Sequence, residues 1–330
     1  MSAARHHWPG GEAQIQALGG MIAPVRLSLP DGRVVEPLAR APWIEAPDPS
    51  WPGILRGLQG DFACVPFGTG DPAPLPDRWR ALGVTAPEAA PPHGFGANEV
   101  WDAEAGDEGL RARIAYPAAS PIAALERRLC PLGPDRVEMA LTILPRQDTE
   151  LPVALHPIFR LSPTPGQSEL RLGQHGAIWT HPCGSSDAPC PLLPDAQAQD
   201  LSTLPGRDRR SLDYSHLPLQ EPAESRLLVT GTDGRATLAH LDEGWSATLE
   251  WDASLLPSLM LWVSNRGRTA APWNGRHLAL GMEPCAAAFD LGEAASRGPS
   301  PLTEAGVVTA LKLRAGEPVT IRTALSVALL

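Results

Sequence analysis

Thirty-seven of the 330 residues are proline. A proline inside a helix removes a backbone donor, clashes with the preceding turn and costs ~3 kcal/mol. A largely helical fold is therefore excluded. Together with 31 glycines the prolines make up about a fifth of the chain, below the ~25–30% that marks low-complexity disorder. Hydrophobic residues at 43% against 19% charged are enough to fill a core.

What the prolines leave is β-structure. Val25–Leu29 and Arg33–Glu36 flank Pro30-Asp31-Gly32, a tight-turn signature. Leu110–Tyr116, Leu125–Leu129 and Val137–Leu144 follow as strands. Leu227–Thr230 and Ala236–His240 read as a second hairpin through Thr232-Asp233-Gly234. Ser246–Trp251, Leu259–Val263, Val307–Leu313 and Val319–Val327 complete the set. Many short strands at fairly regular spacing predict an all-β antiparallel sandwich or barrel with few short helices. Ala41–Pro52, Thr69–Pro92 and Thr180–Arg210 read as long loops, which are uncommon in a compact domain unless they build a site. With no internal repeat and no sharp composition break, residues 1–330 are expected to form one domain, with 1–12 a flexible tail.

Several function classes drop out on bulk properties. The formal charge of −10 disfavours nucleic acid, whose phosphates require a basic face. The longest apolar candidate for a membrane span, Leu255–Val263, is far shorter than the ~20 residues required. Met1–Glu12 lacks the apolar region of a secretory signal, and five widely spaced cysteines read as reduced thiols, so a cytoplasmic protein is expected. Lys312 is the only lysine, which argues against a Schiff base or a phosphate-loop lysine. His175, His181, Cys183 and Cys190 share one loop but lack the tight Cys pair of structural zinc sites, so no metal is expected. Glu126-Arg127-Arg128 reads as the exposed part of a strand end.

Three segments place polar residues in unusual company. His93 follows two prolines and precedes Gly94, on a constrained turn. His156 ends the apolar Ala154-Leu155, and Glu283 ends the apolar stretch Leu278–Met282. Read alone, each has a structural alternative: a turn histidine, a satisfied core histidine, a carboxylate that caps or salt-bridges a loop. A carboxylate at the end of an apolar strand should carry a raised pKa unless paired.

Taken in order, these segments resemble the aldose 1-epimerase (galactose mutarotase) superfamily. The resemblance runs from Leu58-Gln-Gly-Asp-Phe-Ala-Cys-Val-Pro-Phe-Gly68 through His93-Gly94-Phe95 with Trp101 and His156-Pro157-x-Phe159. It continues through Leu261-Trp262-Val263-Ser264 and Pro272-Trp273 to Gly281-Met282-Glu283-Pro284. It implies a β-supersandwich of about this length, in agreement with the strand reading.

It also implies a catalytic set: Glu283 as general base, His156 as general acid, and His93 as a second histidine near the anomeric end of a sugar. Opening a pyranose ring needs one group to take the anomeric hydroxyl proton while another protonates the ring oxygen. A carboxylate and an imidazolium can do this with no metal or organic cofactor. Residues of the same segments, Asn98, Trp101 and Trp262, together with Asp213 on a separate loop, are the expected substrate contacts. The family's arginines after His-Gly-Phe and Pro-Phe-x-Gly are missing: Gly96-Ala97-Asn98 and Phe67-Gly68-Thr69 stand there, and Arg78, Arg80 or Arg160 are possible replacements.

The expected partner is a small-molecule sugar, a neutral one by overall charge, with the chain a monomer or homodimer and neither nucleic acid nor membrane involved. Two rival readings remain: a non-catalytic carbohydrate-binding protein of the same fold, and a structural β-sandwich with no concave polar site. The catalytic reading expects His93, His156 and Glu283 in one open cleft, with Glu283 and His156 several ångströms apart across a sugar-sized gap.

Overall fold

The computed structural model describes residues 3–69, 75–83, 91–183 and 187–330. Two large antiparallel sheets dominate it. The back sheet runs in the order His216–Leu217, Ser168–Leu172, Arg235–His240, Trp245–Trp251, Val319–Leu329, Arg136–Pro145, Ile122–Pro131, Gly109–Ala115, Asp102–Gly106. The front sheet runs Gln197–Ala198, Ile178–Thr180, Ala223–Val229, Ser258–Asn265, Leu278–Ala286, Val153–Leu155, Ala63–Cys64, and Ile158–Arg160 also pairs with Leu278–Ala286.

Burial distinguishes the two sheets. Trp245–Trp251 alternates strictly between buried and half-buried residues, as a strand with one covered face does. Ser258–Asn265 is buried at every position. Leu259, Leu261, Val263, Leu280 and Met282 belong to the main core. The alternate residues Met260, Trp262 and Cys285 join a second apolar cluster with Trp43, Ile54, Leu58 and Trp273, which come from the segments laid over the outer face. The long loops thus form a lid on the front sheet, and this is why its strands read as continuous apolar runs.

Four expectations need correction. Residues of the presumed tail form strand Ala4–Trp8, paired with Gly11–Ile15 in a four-stranded sheet that continues through Ile22–Ser28 and Val34–Val35. Trp8 Nε1 also donates to the Gly133 carbonyl at 2.9 Å. Thr232-Asp233-Gly234 closes no hairpin. It carries the chain from the front sheet to the back sheet, and Arg235–His240 pairs instead with Trp245–Trp251. An Asp-Gly bend specifies a sharp turn, not the partner of the strand after it. In Val307–Leu313 only Leu311–Leu313 is a strand. Finally, Arg127 is buried, where it pairs with Asp61 and donates to the carbonyls of Gly20 (2.8 Å) and Asp61 (2.7 Å).

Short helices occur at Gly53–Gly57, Asp77–Ala81, Gly292–Arg297 and Pro301–Glu304. Three start at proline: Pro52 and Pro76 precede the first two, and Pro301 opens the last behind a Ser300–Thr303 capping box. Proline costs a helix nothing at that position, since the missing N–H would be unsatisfied anyway. Among the described residues, no helix is long and apolar enough to cross a membrane.

Candidate active site

Glu283 lies in the middle of strand Leu278–Ala286, opposite Met260 of Ser258–Asn265. The neighbouring row runs Arg226, Trp262, Gly281 across three strands. These two rows form the outer face of the front sheet, under the lid. Gly281 lies two residues before Glu283 on the same face. A Cβ there would come within 2.4 Å of Glu283 Oε1 and 3.1 Å of Trp262 Cβ. The bare glycine leaves the space into which the carboxylate folds.

His156 occupies the break between Val153–Leu155 and Ile158–Arg160, two strands that both pair with the Glu283 strand. Its amide donates to the Phe62 carbonyl at 2.9 Å, and its ring stacks on Phe62 with centroids 4.3 Å apart. Pro157 ends the first strand, and its carbonyl accepts from Met282 N at 2.9 Å. His156 Nε2 thereby comes to 3.2 Å from Glu283 Oε1.

His93 has a left-handed backbone, φ 59°, and so does Gly94, φ 83°. For a histidine this conformation is strained and persists only when its surroundings impose it. Asn98 supplies much of that restraint: its Nδ2 donates to the carbonyls of Pro92 (2.7 Å) and Gly94 (2.9 Å), while its Oδ1 accepts from Ile54 N (3.1 Å). The His93 ring stacks on Phe67 and meets His156 edge-on at 5.2 Å.

The three side chains line one cavity of ≈ 270 Å³, at the small end of ligand pockets, which run to ~300–1,000 Å³. Burial pushes the Glu283 carboxyl well above the usual range, with the charge of Asp290 adding to the effect and Arg226 opposing it. Burial also holds the His156 imidazole well below its ordinary value and takes His93 down to about 4. Among the described residues, neither carboxyl oxygen of Glu283 has a hydrogen-bond partner, and neither does Nδ1 of His156 or of His93. Unsatisfied buried polar atoms are costly, and their concentration here marks a place built for a polar ligand.

Glu283 and His156 converge in one cleft with His93, but no sugar-sized gap separates them. The chemistry does not need one. The anomeric hydroxyl and the ring oxygen are bonded to the same carbon, so an acid and a base serving them belong side by side, both facing the cavity.

The expected substrate contacts divide. Trp262 lines the cavity, edge-on to His156 at 5.7 Å and stacked on His277 at 5.3 Å. Asn98 is buried in the turn it braces, with both ends of its amide engaged by backbone. Trp101 is a core residue whose Nε1 donates to the Gly96 carbonyl at 2.7 Å. Asp213 is exposed, accepts from the Ser215 amide and is not among the residues lining the cavity. An Asp followed two residues later by Ser forms a local Asx turn, which holds the carboxylate to its own backbone.

The candidate replacement arginines are engaged elsewhere: Arg78 with Asp195, Arg80 with Asp77, Arg160 with Glu243. Sequence reasoning missed the two that do line the cavity, Arg226 and Arg268, and also Asp290. Arg226 pairs with Asp290, which also meets His181 Nε2 at 3.0 Å. These partners hold Asp290 ionised, well below the usual carboxylate range despite its burial. A charged residue within the buried strand Ala223–Val229 was the available signal for Arg226. The residues of the loop that holds His175, His181 and Cys190 have scattered surroundings: His181 faces Asp290, Cys190 Sγ lies 3.8 Å from Ser225 Oγ, and His175 is half-buried.

No family model matches the sequence, and no curated protein matches it. Solved structures do match its fold. A candidate aldose 1-epimerase from Escherichia coli K12 superposes with a TM-score of 0.66 at 16% identity, over 100% of this chain and 99% of its own. A Synechocystis sp. PCC 6803 protein gives 0.64 at 15% identity, over 100% and 96%. A galactose mutarotase-like protein from Lactobacillus casei gives 0.57 at 14%, over 99% and 100%. Along its whole described length, this chain has the fold of the aldose 1-epimerase and galactose mutarotase-like proteins.

Proposed function

We propose that the protein is an aldose 1-epimerase that interconverts the α and β anomers of a sugar by acid/base ring opening. The observation that carries this reading is the approach of His156 Nε2 to 3.2 Å from Glu283 Oε1 on the cavity wall, with neither carboxyl oxygen hydrogen-bonded among the described residues. Glu283 takes the proton of the anomeric hydroxyl and His156 gives one to the ring oxygen. The bond from C1 to the ring oxygen breaks, the aldehyde end rotates, and the ring recloses on either face.

Opening starts from a carboxylate and an imidazolium and leaves a carboxylic acid and a neutral imidazole. Both states contain one proton. The neutral state, which burial favours, is the one paired with the open-chain sugar, and closure returns each proton by the reverse path. His93, neutral near pH 7, orients the ring oxygen beside His156.

Polarimetry on freshly dissolved α-anomers of neutral, acidic and phosphorylated sugars tests the reading. Acceleration of at least one sugar is expected. Sugar affinity without any acceleration would make the protein a carbohydrate binder, and neither affinity nor acceleration would leave the cavity without a sugar function.

A further inference from the structure

Trp262 touches both the acid/base pair and a cation of the cavity wall: its ring is edge-on to His156 at 5.7 Å, and Arg268 Cζ is 5.9 Å from its centroid. Arg268 also lies over Trp273 at 4.5 Å. Behind the guanidinium, buried Glu224 reaches Arg268 Nη2 at 3.3 Å and accepts from Trp262 Nε1, and Asp187 lies 3.4 Å from Arg268 Nε. One carboxylate thus fixes both the aromatic platform and the cation beyond it.

The charge of Arg268 is opposed by two carboxylates. Among the described residues the cavity is lined by two arginines, each facing carboxylates: Arg226 faces Asp290, and Arg268 faces Glu224 and Asp187. Residues 1–2, 70–74, 84–90 and 184–186 contain no lysine, arginine or histidine. A neutralised guanidinium still offers directed N–H donors, which suit hydroxyl groups. A phosphate or carboxylate at the same place would meet Glu224 and Asp187 as well as the cation, on a chain whose net charge of −10 already repels anions.

Resting on the epimerase reading above, we infer that Arg268, held by Glu224 and laid on Trp262 and Trp273, grips hydroxyls at the end of the sugar remote from C1 and selects uncharged aldoses against sugars phosphorylated there. Arg268 is a specificity residue, and Glu224 opposes its charge.

The test compares steady-state anomer exchange, followed by NMR, for glucose, galactose and their 6-phosphates in wild type, Arg268→Met and Glu224→Gln. Methionine keeps an apolar stem on the tryptophans and deletes the donors. The expected result in Arg268→Met is a KM for the best neutral sugar raised by about tenfold or more, with kcat changed far less, since C1 is at the other end. Glu224→Gln leaves the guanidinium with less opposing charge, so the kcat/KM ratio of phosphorylated to neutral sugar should rise about tenfold. That shift in preference is one a merely destabilised fold does not produce. An unchanged KM in Arg268→Met, or a wild-type enzyme that prefers the 6-phosphates, overturns the inference and leaves the epimerase reading standing. No exchange by wild type with any sugar overturns both.

Discussion

At the residue scale, the Glu283–His156 pair sets the pH behaviour. A second proton would have to enter the His156 imidazole, which burial holds well below 6.5, and the single proton leaves only above the raised value of Glu283. The active one-proton state therefore spans neutrality, and kcat/KM should stay flat through the range where an ordinary histidine titrates, falling only towards either extreme. A step centred on an ordinary histidine value, in a profile of wild-type anomer exchange, would contradict this. Gly281→Ala supplies a second check. The new methyl group must push the Glu283 carboxyl aside, and misplacement by about 1 Å can cost up to ~10²-fold in rate. Activity should fall while the denaturation midpoint moves little; an unchanged rate would show that the carboxyl's position is not set by this glycine. Glu283, His156 and His93 stood out in the sequence as polar residues in apolar or constrained company, and the family resemblance supplied their expected roles. Asp213 misled because its own turn consumes it, and Arg268 was hidden because its partners, Glu224 and Asp187, come from distant parts of the chain.

At the scale of elements, strand periodicity located most of the long strands, but the two faces of the front sheet could not be told apart from sequence. Ser258–Asn265 is buried on one side by the inter-sheet core and on the other by the lid. An unbroken apolar run is what both environments require, and it says nothing about which side carries a site. The lid helices were invisible for a related reason: they are one or two turns long and begin at prolines that read as breakers. The turn at His93 offers an element-level prediction. Asn98→Ala removes two donors and one acceptor that bind backbone on both sides of the turn. The loss should cost ~1–3 kcal/mol in chemical denaturation and lower kcat, because these bonds brace the turn in which His93 holds its left-handed conformation, leaving the amide bonds of His93 to Gly68 and of Gly94 to Pro91 to hold it. Wild-type stability in that variant would assign the restraint to Phe67 stacking and the lid.

At the scale of the whole molecule, one buried ion pair joins the parts. Arg127 belongs to the back sheet. Asp61 belongs to the segment whose next residue, Phe62, stacks on His156. The same guanidinium grips the Gly20 carbonyl just before strand Ile22–Ser28. Removing one partner of such a pair strands the other charge, at a cost of ~3–5 kcal/mol. Asp61→Ala should therefore lower the free energy of unfolding by about that amount and loosen the floor under His156; a loss below ~1 kcal/mol would class the pair with surface bridges.

The 37 prolines excluded a helical fold, and the structure shows their further use in the lid that turns one sheet face into a cavity. That cavity, with its paired acid and base, is the central claim. The most direct test is the rate of anomer exchange in Glu283→Gln at matched protein concentration, with near-UV circular dichroism confirming the fold. The prediction is a loss of ~10²–10⁴-fold or a fall to the spontaneous rate. A variant that retains the wild-type rate would remove Glu283 from the chemistry and contradict the account.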